Sequence, residues 1–149
     1  MENILNKPTA DSILARIEKL NSGTNALWGK MNVAQMLSHM QAPVEVGLGT
    51  KQLKRTLIGF LFGGIAKKQL FSERPFPQSL PTDASFIRKG EHDFETEKVK
   101  LVSLLNQLVA GGEEGLTKLP HPFFGKLTNE EWGTSLWKHF DHHLKQFGV

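Results

Sequence analysis

Apolar residues recur at helical spacing in four long stretches of the chain. Ala10, Ile13, Leu14, Ile17 and Leu20 repeat at three- and four-residue intervals. They predict a first helix capped by Thr9 and closed by Asn21-Ser22-Gly23. Val33, Met36, Leu37, Met40 and Val44 form a second apolar face. Asn32 with Gln35 three residues on is a capping-box pattern at its start. Pro43 lies inside this stretch and leaves the His39 carbonyl without its usual partner, so a kink or a stop is expected there.

Phe94, Leu101, Val102, Leu104, Leu105, Leu108 and Val109 supply the core side of a third long helix, from about Asp93 to Ala110, closed by Gly111-Gly112. The fourth opens at Thr128, with Glu131 completing a second capping box, and runs to about Phe147. No period-2 strand pattern competes. The expected fold is all-α, a four-helix bundle in a single domain over residues 1–149, with short extra helices and a Pro-rich loop.

Between the second and third long helices the pattern changes. Residues 46–72 contain no Asp or Glu and carry Lys51, Lys54, Arg55, Lys67 and Lys68 around the apolar run Leu57–Ala66. Gly59, Gly63 and Gly64 argue for one or two short helices there. The segment reads first as an amphipathic hairpin or lid over the bundle with solvated lysines, and second as a membrane-surface contact. Arg74-Pro75-Phe76-Pro77 through Leu80-Pro81 reads as an irregular loop.

Composition narrows the function classes. With no cysteine, disulfides, thiolate zinc sites and a cysteine nucleophile are excluded. Basic residues exceed acidic ones by 18 to 15, a surplus of +3, and no nucleic-acid motif accompanies it. Met1–Asn6 lacks the basic-then-apolar order of a secretory signal, and the longest apolar run is too short to span a bilayer. The expectation is a cytoplasmic protein acting on a small-molecule substrate, without nucleic acid or stable membrane insertion, and with homodimerisation allowed.

The candidate chemistry lies in histidines. His139 and His143 are four apart, about 40° apart on one helix face and roughly 6 Å apart along the axis. Both border the apolar arc made by Trp132, Leu136, Phe140, Leu144 and Phe147, with Lys138, Asp141 and Lys145 opposite. His39 borders the apolar arc of the second helix in the same way, with Ser38, Gln41 and Glu45 opposite. If the two borders face each other, three imidazoles converge on one divalent ion and leave coordination positions open. Imidazole alone does not select the metal. Six histidines in this length give roughly 0.2 such i,i+4 pairs by chance, so the pair carries little alone. Hydrogen-bonded boundary histidines in a ligand-binding bundle without metal are the alternative. Position 140 is Phe, so the pair is not a zincin motif. His121, between two prolines, reads as a rigid turn or a residue at the cleft mouth. His92 has no evident partner, and His142 falls on the polar side of the pair. Trp28 and Trp132 read as packing residues.

The stretch Leu27-Trp28-Gly29-Lys30-Met31-Asn32 through Gln35-Met36-Leu37-Ser38-His39 resembles the start of the second helix in DinB-like (YfiT-like) proteins. His121-Pro122-Phe123-Phe124-Gly125-Lys126-Leu127-Thr128, Glu131-Trp132-Gly133 and His139 through Gly148 resemble a bacterial branch of that superfamily that has no assigned reaction. The resemblance implies a four-helix bundle, often up-up-down-down. It implies a metal site of one histidine from the second helix and an H-x-x-x-H pair from the last, here His39, His139 and His143. It also implies a divalent metal, zinc or nickel first, and thiol-dependent chemistry using bacillithiol, mycothiol or glutathione. A chain without cysteine fits a nucleophile that arrives with such a cofactor.

Overall fold

The computed structural model describes residues 1–54, 57–72, 76–78 and 86–149, and the side chains of Ile58 and Gln69 fall outside that description. Among the described residues the regular structure is five helices: α1 (Lys7–Glu18), α2 (Val33–Gly47), α3 (Leu57–Leu70), α4 (Phe94–Gly111) and α5 (Asn129–Gln146). A lone antiparallel bridge joins His121 and Gly125.

Local chemistry explains most of the boundaries. Both capping boxes form. The Asn32 side chain accepts from Gln35 N while Gln35 reaches back to Asn32 N, and Thr128 and Glu131 make the same exchange. Asp93 caps α4 through Thr96 N, and Gly112, at φ +53°, ends it. The first helix differs from expectation. It starts at Lys7, because Pro8 in its first turn has a φ already suited to helix, and Asn6 rather than Thr9 holds the cap position. The second helix neither stops nor ends at Pro43 but continues to Gly47. Residues 57–70 make one helix of 14 residues despite their glycines. Of the Pro-rich loop, only 76–78 lie among the described residues.

The core gathers where α1 and α2 each pack against both α4 and α5. Ile13 and Ile17 of α1, Met36, Leu37 and Met40 of α2, Leu101, Leu105 and Leu108 of α4, and Leu136, Phe140 and Leu144 of α5 are buried in one cluster. α2 lies deepest, with only Gln35 and Glu45 not fully buried. Its expected polar face is therefore largely covered. Ser38 accepts from Arg88 Nε at 3.1 Å, and Gln41 donates to Glu97 Oε2 at 2.7 Å. The far face of α5 is covered too. Lys138 is buried and donates to the Ser72 carbonyl, and Asp141 takes Arg16 of α1 at 2.9 Å. Buried polar groups at these positions are tolerated because each has its partner.

Candidate metal centre

His39 stands near the middle of α2, and His139 and His143 stand one turn apart on α5. Because α2 packs directly on α5, the histidine-bearing borders of the two helices meet. The three rings form a nearly equilateral triangle. Centroids lie 5.0 Å apart for His39–His139, 4.7 Å for His39–His143 and 4.6 Å for His139–His143. One nitrogen from each lies within 4.8 Å of the others. His39 and His143 are buried; His139 is partly exposed.

Hydrogen bonds at the back of two rings set their tautomers. The Phe86 carbonyl lies 2.9 Å from His39 Nδ1. A carbonyl only accepts, so Nδ1 carries the proton and the His39 Nε2 lone pair faces the other rings. His143 Nδ1 lies 2.8 Å from Gln146 Oε1. Gln146 is held in that orientation because its Nε2 donates to the Trp28 carbonyl at 2.7 Å. His143 Nδ1 therefore donates, and its Nε2 is the free base. Such outer hydrogen bonds orient metal-binding imidazoles and raise their basicity. Gln146 permits this only because position 29 is glycine. A Cβ there would overlap Gln146 Nε2, and Gly29 sits at φ +85°.

Burial keeps the trio neutral. It pushes His143 down to about 3 and holds His39 and His139 below their ordinary values, with the mutual repulsion of neighbouring imidazolium charges adding to the effect on His139 and His143. Neutral imidazole is the form that ligates. His39 Nε2 and His139 Nε2 are 3.1 Å apart. Two nitrogens on one ion, each at about 2.0–2.1 Å, sit about 2.9–3.4 Å apart between right-angle and tetrahedral geometry. His139 Nδ1 is buried with no hydrogen-bond partner among the described residues. This donor set and its spacing fit a divalent ion.

A family model described as "Protein of unknown function (DUF1569)" matches residues 2–148. The chain belongs to that family. No curated protein and no solved structure matches it.

Around the trio, this DUF1569 member adds residues that the sequence did not single out. Gln146 and Phe86 are the two that fix the imidazole tautomers. Gln146 lay within reach of sequence reasoning, since an amide three residues after His143 shares its helix face. Phe86, 47 residues from His39, did not. His142 stands beside the trio, its ring 5.1 Å from that of His143 and 5.9 Å from those of Trp28 and Phe76. Its pKa is lowered, mainly by burial.

The remaining histidines lie apart. His121 belongs to a turn: its Nδ1 accepts from Phe123 N and Phe124 N, both at 3.1 Å, and its ring packs 5.1 Å from that of Trp132. Burial pushes its pKa down to about 4, so it stays a neutral acceptor. His92 does have a partner, Glu97 Oε1 at 3.4 Å. Trp132 is buried core, as its position on α5 suggested.

Proposed function

We propose that this protein is a divalent-metal protein of the DinB-like (YfiT-like) kind. In this reading α1, α2, α4 and α5 form a four-helix bundle in up-up-down-down order and α3 is an addition to it. His39, His139 and His143 hold the ion, zinc or nickel foremost. The carrying observation is the convergence of three neutral imidazoles, two of them with the lone pair turned inward by hydrogen bonds from behind.

Three protein ligands leave room for a small molecule, whereas structural zinc sites are closed by four. A divalent ion there would supply Lewis acidity and lower the pKa of a coordinated thiol or water. The reaction class that suits this is thiol S-transfer, with a low-molecular-weight thiol as co-substrate, because the chain supplies no thiol of its own. The cytoplasm, where such thiols stay reduced, is the matching compartment. The chain's own part is to hold and orient. Phe86 and Gln146 aim two ligands, and the side chains of Trp28, Phe76 and His142 form a wall beside them.

A metal-free binding bundle is the second reading. The observation favouring it is that His39 Nε2 and His139 Nε2, at 3.1 Å, are also at hydrogen-bond distance. Elemental analysis of untagged protein, purified without a nickel column, separates the two. The metal reading expects near one equivalent per chain, its loss in His139→Ala, and its retention in His142→Ala. Background metal in the wild type, with no uptake of added zinc by calorimetry and melting unaffected by chelator, would establish the second reading instead.

A further inference from the structure

α3 presents its apolar side outward. With Leu57 at zero on a helical wheel, Ala66, Gly59, Leu70 and Gly63 fall at about 180°, 200°, 220° and 240°. This is the inner side: Gly59, Gly63 and Leu70 are buried. Gly63 lies so close to the Phe123 carbonyl that a Cβ would overlap it. The small residues thus let the helix backbone settle onto the 123–124 turn. Lys67, off this inner side, ties the helix down through Glu131 and the Lys126 carbonyl, at 2.7 and 2.9 Å.

The outer side holds Leu57, Leu61 and Ile65 at about 0°, 40° and 80°, with Phe62 at about 140°. These are 75%, 61%, 69% and 55% exposed. A helix apolar all round normally has its whole circumference covered. Here four large side chains face out, while the inner side is made of Gly59, Gly63 and Ala66 with Leu70 at its end, an arrangement unlike that of a helix placed only to seal a core. Along the chain, residues 46–72 include five basic residues and no acid, and the acid that meets the helix, Glu131, is paired with Lys67. Lys54 is exposed just before the helix, and exposed Lys68, at about 20° on the wheel, continues the apolar stripe.

We propose that the outer face of α3 docks the protein on an anionic lipid surface. Leu57, Leu61, Phe62 and Ile65 enter the headgroup boundary, while Lys54 and Lys68 meet the lipid phosphates. Apolar insertion together with attraction to anionic lipid is the binding mode of interfacial helices. No helix among the described residues is long and apolar enough to cross a membrane, so the contact is peripheral. Charge decides between this occupant and a second copy of the chain. Pairing two copies through α3 would bring two acid-free basic segments together, whereas an anionic bilayer neutralises them. The surface is separate from the histidine trio and stands whether or not that trio holds an ion.

The test is co-sedimentation of the untagged full chain with phosphatidylcholine vesicles, with and without phosphatidylglycerol. Binding is expected only with the anionic lipid, weakening as salt rises. Leu61→Ser with Ile65→Ser should weaken it more than about tenfold, and Lys54→Gln or Lys68→Gln about fivefold each. Circular dichroism melts check that these exposed substitutions leave the fold unchanged. No binding to anionic vesicles at low salt would overturn the proposal, as would variants that bind like the wild type. A dimer by light scattering that Leu61→Ser with Ile65→Ser dissolves, without vesicle binding, would overturn it in favour of self-association.

Discussion

Gln146→Leu tests the site through a residue that would not itself touch the ion. Gln146 is buried and joins two groups: its Oε1 accepts from His143 Nδ1 and its Nε2 donates to the Trp28 carbonyl. Leucine is close in volume, so the cavity term is small. The loss is that of one buried and one part-buried hydrogen bond, leaving His143 Nδ1 without its acceptor. One such unpaired buried group costs about 1–3 kcal/mol, a fall in melting temperature of a few degrees to about 10 °C for a domain of this size. His143 also loses what keeps its proton on Nδ1, so zinc affinity should fall about 10- to 100-fold. Gln146→Glu separates the two effects. Its carboxylate still accepts from His143 but cannot donate to Trp28, so the protein should melt earlier yet bind zinc at least as tightly as wild type. Zinc competition against a chromophoric chelator, alongside melts of metal-free protein, reads both quantities. If the leucine variant held zinc within about twofold of wild type, the argument that Gln146 presents the His143 lone pair would fail.

Gly29→Ala should reproduce the metal defect of Gln146→Leu from another direction, since its Cβ would displace the amide and its φ of +85° adds strain of about 1–2 kcal/mol; wild-type zinc binding would refute this. Stability should fall as pH drops below about 6.5. Burial lowers His121 from 6.5 to about 4, so between those values the unfolded chain binds more protons than the folded one. Each pH unit in that window then removes about 1.4 kcal/mol, and the contribution is complete above 6.5. His39, His139 and His143 shift in the same direction and steepen the loss. Melting temperatures measured across this window should decline less steeply for His121→Asn, by one histidine's share; a pH-independent wild-type melting temperature would contradict the assignment.

The legible parts of this chain were the ones written locally. Both capping boxes formed where Asn32–Gln35 and Thr128–Glu131 placed them, because their partners are three residues apart. The wheel put His39, His139 and His143 at the edges of two apolar arcs and the family resemblance grouped them; the packing of α2 on α5 is what brings the three rings together. What stayed hidden depended on distant partners. Ser38, Gln41 and Lys138 looked solvent-facing on their own helices. They are buried because Arg88, Glu97 and Ser72 arrive from other segments to meet them. The start of α1 was misplaced because Thr9 and Asn6 both resemble caps and only the fit of Pro8 to a first helical turn separates them. α3 was read as a cover with solvated lysines: Lys54 and Lys68 are exposed as expected, but Lys67 is tied to Glu131, and Leu57, Leu61, Phe62 and Ile65 face outward.

The histidine triangle joins positions 100 residues apart. Closing a loop of that length costs on the order of 4 kcal/mol in chain entropy, so the complete triangle belongs to the finished fold and not to a chain still emerging during synthesis. The four-residue spacing of His139 and His143 needs only a single helical turn. If an ion is held there, the α5 pair would bind it only weakly alone, and the packing of α2 on α5, which brings in His39, would complete the set of three imidazoles.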